Sequence, residues 1–284
     1  MTDSGKGIFQ NLCKKTVSDI FFTEKQLNLY TNKAIAKKWV NTFGINVARQ
    51  LKLFSKLEKI KLLPGTVLKP SFETLSKGVF LVHTENLILD FTSGKLLHGF
   101  EDLYKNANDY IQKKIVHNDL WNLEEMVQGR LFPFPPHEIK CFCFYGKIGM
   151  ILEKQVARKG DYFEFLISFY KENGDKIYFH DDSKDRIKGI FTEALFDKAK
   201  KISLSLPLAF IRIDFLINKD NDFVFSEFEL VSGLLNIIPL KIYQKLDVQL
   251  ATFYKDAEKR LAEDLKCGKK FIETNELIKS MILK

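Results

Sequence analysis

The stretch that most restricts how this chain can fold is Phe210-Ile211-Arg212-Ile213-Asp214-Phe215, with the polar turn Asn218-Lys219-Asp220-Asn221-Asp222 and the return Phe225-Ser226-Glu227-Phe228-Glu229. Polar and apolar residues alternate along both arms. Alternate residues of a strand share a face, so the spacing predicts a β-hairpin with Arg212 and Asp214 on one side and Ile211, Ile213 and Phe215 on the other. A turn centred on residues 218–222 sets Asp214 opposite residue 226, and a slip of one sets it opposite Glu227. Glu227 and Glu229 share a face as well. Carboxylates this close repel one another unless a cation lies among them. Mg2+ takes oxygen ligands at about 2.0–2.1 Å, commonly from carboxylates plus substrate phosphates. Arg212 could grip a phosphate or carboxylate with two parallel N–H groups. A solvated strand face with a surface salt bridge fits the same alternation, and the hairpin alone leaves both readings open.

Elsewhere helices and antiparallel hairpins follow one another irregularly, which predicts an α+β protein. Residues 1–22 read as a short amphipathic helix, and Thr31 or Asn32 caps a helix over 34–43 that Gly44 ends. Residues 66–70 and 78–82 form a hairpin with its tip at 71–77, and 86–91 add a third strand. A helix over 100–118 and an extended run over 121–127 come next. Residues 138–144 and 148–153 pair around Tyr145-Gly146-Lys147, helices follow over 193–205 and 240–266, and a last short helix follows Gly268. Lys140 shares a strand face with Phe142 and Phe144, so its ammonium needs an anion or a route to water.

Composition narrows the function classes. The 284 residues carry 44 Lys+Arg against 36 Asp+Glu, a net charge of +8 that suits an anionic partner. The basic residues are interspersed with acids, as at Lys255, Asp256, Glu258, Lys259, Arg260, Glu263 and Asp264, which argues against a nucleic-acid-binding arm. No run approaches the roughly 18 apolar residues of a membrane-spanning helix, and residues 1–6 lack the apolar core of a signal peptide. Cys13, Cys141, Cys143 and Cys267 form neither a disulfide framework nor spaced zinc pairs, and Cys141 and Cys143 read as core. The expectation is a cytoplasmic protein.

Arg-x-Asp, a turn, and Glu-x-Glu at 13 and 15 residues after Asp214 resembles the metal hairpin of the ATP-grasp superfamily. Other blocks follow in the order that superfamily uses. Asn32-Lys33-Ala34 with Gly44-Ile45 resembles its Asp-Lys helix ending in Gly, and Val67-Leu68-Lys69-Pro70 with Gly78-Val79 is similar to its Lys-Pro strand and phosphate-covering loop. The acidic run Trp121-Asn122-Leu123-Glu124-Glu125-Met126-Val127 sits where a hinge strand precedes the adenine pocket. The run from Glu138 to Lys147 resembles the Asp-Tyr-Lys-Phe-x-x-Phe-x-Gly-Lys block of TupA-like members, which are named for teichuronic acid biosynthesis.

That resemblance implies an ATP-grasp fold, two α+β lobes with ATP held between antiparallel sheets. Residues 1–30 would be a helical extension, 31–125 the N-terminal lobe, and 126–284 the C-terminal lobe with its helices. It implies ATP and Mg2+ as cofactors, with Asp214, Glu227 and Glu229 as metal ligands and Arg212, Asp214 and Glu227 as catalytic residues. Lys69 and Lys140 would contact phosphates, Glu125, Met126 and Val127 would form the adenine hinge, and Ser232, Gly233 and Asn236 would lie near substrate. The implied activity is an ATP-dependent carboxylate–amine ligase working through an acyl phosphate, with a saccharide-linked substrate in cell-surface polysaccharide synthesis. Two alternatives are a small-molecule peptide-forming ligase and a non-enzymatic module, degenerate in its ATP-grasp fold, that binds an anion or nucleic acid.

Overall fold

The acidic hairpin forms the middle of a seven-stranded sheet. A computed structural model describes residues 7–21, 33–73, 76–130, 134–159, 162–177, 192–233 and 240–271. Across the larger sheet the strands run β1 (Asn46–Val47), β13 (Phe223–Glu229), β12 (Ile211–Ile217), β8 (His137–Phe144), β9 (Lys147–Lys159), β10 (Tyr162–Tyr170) and β11 (Lys176–Ile177). The pair β1–β13 is parallel and every other neighbour is antiparallel. A six-stranded antiparallel sheet runs β2 (Gln50–Ser55), β7 (Trp121–Glu125), β3 (Thr66–Pro70), β4 (Phe80–Thr84), β5 (Leu87–Asp90) and β6 (Lys95–Leu97).

Both registers that the hairpin sequence allows are present, one on each side of a bulge. Arg212 pairs with Glu229 and Asp214 with Glu227, but Phe215 pairs with Phe225, so Ser226 is the extra residue. A bulge re-aims side chains. Here it lets Phe225 and Phe228 both enter one apolar core while Glu227, between them in sequence, faces the other way with Asp214. On β12 the same core takes Ile211, Ile213, Phe215 and Ile217, which leaves Arg212 and Asp214 on the opposite face, as the alternation predicts.

Helices cover both faces of the larger sheet. α2 (Lys33–Asn41) and α4 (Glu193–Leu204) close the first core with Ala36, Trp39, Val40, Ala199 and Ile202. α1 (Ile8–Phe21) and α5 (Leu240–Lys266) cover the second through Phe9, Cys13, Tyr243, Leu246 and Leu250, against Phe142, Phe144 and Phe210. The buried Asp247 accepts from the Phe9 amide at 3.1 Å and so satisfies a free N–H at the start of α1. The smaller sheet packs on α3 (Phe100–Gln112) through Leu68, Phe80, Leu103, Ala107 and Trp121. That helix ends short of residue 118, because Lys114 takes a left-handed φ of 56°.

The chain crosses between the sheets early. Residues 33–47 pack on the larger sheet, and the smaller one begins at β2. Strand β9 runs well past residue 153 and pairs with β10 over residues 151–159, a hairpin arm that the sequence reading does not include. Cys141 and Cys143 are buried core. Among the described residues no helix is long and apolar enough to cross a membrane. The cap at Thr31 or Asn32, Asn236 and the last short helix lie outside the described residues.

Candidate active site

Asp214 has no exposed surface, yet it is surrounded by charge. Its Oδ1 accepts from Arg212 Nε and its Oδ2 from Arg212 Nη2, both at 2.8 Å. Lys140, its neighbour across the β8–β12 pair, donates from Nζ to Oδ2 at 2.6 Å. Burial pushes the Asp214 carboxyl up, but the charges and hydrogen bonds of Arg212 and Lys140 outweigh it and hold the pKa down at about 2. Lys140 also donates to Glu138 Oε1 at 2.6 Å, two residues earlier on the same strand face. Desolvation pulls the Lys140 ammonium down, and Asp214 and Glu138 raise it above its ordinary value.

One carboxylate oxygen each from Glu138, Asp214 and Glu227 lie within 4.8 Å of one another. These are hard oxygen donors, which suit Mg2+. The buried cysteines Cys141 and Cys143, softer donors that zinc favours, lie on the opposite face of β8. The donor set therefore fits an oxygen-loving divalent cation. Two ammonium groups already reach this cluster, Lys140 from β8 and Lys33, whose Nζ lies 2.5 Å from Glu227 Oε2. Burial lowers the Lys33 pKa, but Glu227, with Glu124 and Glu229 further off, brings it above the usual lysine value.

The first turns of α2 link the acidic cluster to the smaller sheet. Lys37, one turn after Lys33 and 4% exposed, places Nζ 2.6 Å from Glu124 Oε2. Lys69 on β3 donates to Glu124 Oε1 at 2.5 Å, and Gln50 on β2 donates to Oε2. Burial and then the two lysines act on Glu124 in opposite senses; the lysines prevail and hold it at about 2. Lys69 is the reverse case. Desolvation, with Lys37 and Lys33 nearby, prevails over Glu124 and pushes its pKa down to about 8. Thus Lys33, Lys37, Lys69, Lys140 and Arg212 converge with Glu124, Glu138, Asp214, Glu227 and Glu229, five cations with five carboxyls.

Of the residues singled out in the sequence, Arg212, Asp214 and Lys140 form one hydrogen-bonded cluster, and Glu227 stands beside it, paired across the strands with Asp214 and bonded to Lys33. Lys69 joins it through Glu124, Lys37 and Lys33. Glu229 stands opposite Arg212, outside the tight acidic group, and its carboxyl is raised by burial first and then by Glu227 and Asp214. The Ser232 carbonyl accepts from Arg212 Nη1 at 3.0 Å, and Gly233 lies against the same guanidinium. In the run 125–128 the Glu125 side chain is exposed and pairs with Arg49, its amide donates to the Arg49 carbonyl, and the Met126 amide donates to the Gly65 carbonyl. The Gln128 carbonyl accepts from the Lys219 amide at the hairpin tip, which ties this run to the acidic hairpin.

Lys33, Lys37, Glu124 and Glu138 also belong to the charged cluster, although the sequence reading gives none of them a site role. Glu138 was visible as the strand-face neighbour of Lys140. Lys33 and Lys37 stand at i,i+4, the spacing of one helix face. Glu124 rather than Glu125 is buried because β7 pairs with β3 so that Glu124 and Lys69 share a face, which no local pattern dictates.

A family model described as TupA-like ATP-grasp matches residues 10–246. The chain belongs to the TupA-like ATP-grasp family. Its fold, two antiparallel-rich sheets with helices, is the ATP-grasp fold. Comparison with curated proteins returns no match. Among solved structures it is similar to the ATP-grasp ligase PsnB complexed with minimal precursor, at 11% identity and a TM-score of 0.43, covering 81% of this chain and 63% of that one. It is also similar to D-alanine–D-alanine ligase from Bacillus anthracis complexed with ATP, at 16% identity and a TM-score of 0.45, covering 82% and 67%. The macrocyclase MdnC bound with precursor peptide MdnA from Microcystis aeruginosa MRC matches at 10% identity and a TM-score of 0.46, covering 90% and 75%. The chain thus spans about two thirds or less of the length of the first two.

The two adjacent glutamates of β7 should behave oppositely. Replacing Glu124 by Ala leaves two ammonium groups without their counter-charge and should lower stability by about 3–5 kcal/mol in urea unfolding. Replacing Glu125 by Ala removes an exposed pair and should cost under about 1 kcal/mol. Equal effects would contradict the side-chain placement of this strand.

Proposed function

We propose that this chain is an ATP-dependent ligase that joins a carboxylate to an amine through an acyl phosphate. The observation that carries the reading is the meeting of Asp214 and Glu227 across β12 and β13, beside Arg212 and Lys140, in a member of the ATP-grasp family. In the proposed reaction a carboxylate oxygen attacks the γ-phosphorus of ATP, the bond to the β,γ-bridging oxygen breaks, and ADP leaves. An amine then attacks the acyl carbon, inorganic phosphate departs, and the nitrogen loses a proton. Such transfers depend on positioning and on neutralising the phosphoryl oxygens rather than on strong acids or bases.

The residues divide this work. Asp214 and Glu227, with Glu138 and Glu229 beside them, would hold Mg2+, which when bound neutralises phosphate charge. Lys69 and Lys140 would take the phosphates nearer the nucleoside, and Arg212 the transferred group. Glu125 would enter the hinge through its backbone, with adenine contacts left to the Met126 carbonyl and the Val127 backbone. ATP carries about four negative charges, which two divalent cations balance. The ligands can therefore trade partners with five lysine or arginine groups and five carboxyls without leaving net charge in a buried site. For the substrate we propose a saccharide-linked molecule met in the cytoplasm, the setting that the resemblance to TupA-like members implies.

Glu227→Gln removes a half-buried ligand and should abolish Mg2+-dependent ADP formation, by at least about a hundredfold, with an unchanged circular dichroism spectrum. Asp214→Asn should be equally inactive. Full activity in both would contradict the assignment. The lowered Lys69 pKa gives a second test. With its pKa at about 8, Lys69 in the free protein is charged near pH 7 and partly neutral near pH 8.5. Phosphate oxygens favour the ammonium, so MgATP binding should take up protons near pH 8.5 and scarcely any near pH 6.5. Calorimetry in buffers of different ionisation enthalpy measures this, and the uptake should vanish in Lys69→Met. Equal uptake in that variant would contradict the role of Lys69.

A further inference from the structure

Two large aromatic rings stand in water at one end of the smaller sheet. Phe54 is 44% exposed and Phe72 62%, and their ring centroids lie 5.8 Å apart at an interplanar angle of 30°. Single exposed apolar side chains need no explanation, but this pair is built. Phe54 has a left-handed φ of 47°, a conformation that a bulky residue takes only where its surroundings impose it. Asn122, 6% exposed, does so: its Oδ1 accepts from the Phe54 amide at 2.9 Å and from Ser71 Oγ at 3.1 Å. The Ser71 amide donates to the Leu120 carbonyl at 2.8 Å. One buried amide oxygen therefore fixes the backbone beneath one ring and the residue before the other.

The pair continues a row of the charged site. Asn122 pairs with Lys69, and Glu124 with Val67, across β7 and β3; alternate residues share a face, so Asn122, Lys69 and Glu124 form one row. The rings stand at the Asn122 end of it. Near Phe54 in the chain, Lys52, Lys56, Lys59 and Lys61 are exposed against one exposed acid, Glu58. Strand β2 is the outer strand of its sheet, but its register breaks on both sides of Lys52, and a broken, lysine-bearing edge is a poor template for an added strand. A second copy docking symmetrically would set these lysines against their own counterparts. The surface therefore suits an anion that offers ring faces. An anion bearing carboxylates also matches the neighbouring site, where the proposed reaction consumes a carboxylate. A sugar ring lays its C–H groups on the negative face of an aromatic ring and keeps its hydroxyls in water, so an open platform serves it better than a closed pocket.

We infer that Phe54 and Phe72 form a platform for the sugar rings of an acidic saccharide, whose carboxylates meet Lys52 and Lys56. This deepens the ligase reading, rests on its saccharide-linked substrate, and assigns the saccharide to the carboxylate-bearing substrate rather than to the amine. The platform lies outside the reacting groups and acts on recognition.

The test titrates the full chain by calorimetry with a galacturonic acid hexamer, a glucose hexamer, a glutamic acid hexapeptide and hexathymidylate. Phe54→Gly removes one ring at a φ that glycine favours, so the unfolding temperature of the free protein should stay within about 3 °C. Phe72→Ala removes the other ring, and Phe72→Trp keeps an aromatic face there. We expect the galacturonic acid hexamer to bind wild type about tenfold or more tightly than the other three probes, and loss of either ring to weaken it about tenfold. Phe72→Trp should bind it within about threefold of wild type, and MgATP affinity should stay within about twofold in Phe54→Gly. Lys52→Gln combined with Lys56→Gln should bring its affinity down to that of the glucose hexamer. No binding of the galacturonic acid hexamer by wild type, unchanged affinity in both ring-removing variants, or equal ring-dependent binding of the hexapeptide or hexathymidylate overturns the inference, and the ligase reading stands if wild type binds MgATP. Failure of the wild type to bind MgATP overturns both.

Discussion

A carboxylate with no exposed surface survives as a charge in this fold because Arg212 and Lys140 reach it from its own strand and from the next. Leaving one of these charges buried without the others would cost several kcal/mol, so the three are held as a unit. Lys140 carries the network on to Glu138, and Arg212 carries it to the backbone of Ser232. Burial and pairing thus fix the guanidinium before any ligand arrives. Preorganised charge of this kind stabilises a transferring phosphoryl group most, since no reorganisation is needed at the moment of reaction.

The bulge at Ser226 and the lysines of α2 build the rest around that centre. Without the extra residue, one register along the whole hairpin would turn either Glu227 or the core phenylalanines to the wrong side. Lys33 and Lys37 lie one turn apart, so a single helix reaches Glu227 on the larger sheet and Glu124 on the smaller one. The cluster is therefore assembled from both sheets, and each ammonium is matched by a carboxyl. Lys69 is the least comfortable member, with a pKa of about 8, and so gains most from an added anion.

Much of this was legible in the sequence where the pattern is local. Alternation located the hairpin and the faces of Arg212 and Asp214, Gly44 ended its helix at a left-handed φ of 68°, and the turn at Tyr145-Gly146 paired β8 with β9. Parts that depend on distant pairing were not legible. The alternation left Asp214 opposite 226 or 227, and the bulge decides it. Glu124 and Glu125 are adjacent and chemically alike, and the β3–β7 register alone makes one a buried partner of Lys69 and the other a surface residue. Strand β10 pairs with residues 151–159 of β9, most of them past residue 153, where the strand marked by local alternation ends. Glu138 shares its strand face with Lys140, but that the lysine divides itself between Glu138 and Asp214 follows from the β8–β12 pairing and not from local alternation.

The most direct measurement is a crystal structure grown with Mn2+ and ADP, with anomalous scattering used to place the metal. An anomalous peak about 2.1 Å from carboxylate oxygens of both Asp214 and Glu227, with the Lys33 ammonium displaced from Glu227 toward phosphate, is the predicted result. A peak remote from those two residues, or carboxylates of Asp214 and Glu227 on opposite faces of the sheet, would contradict it.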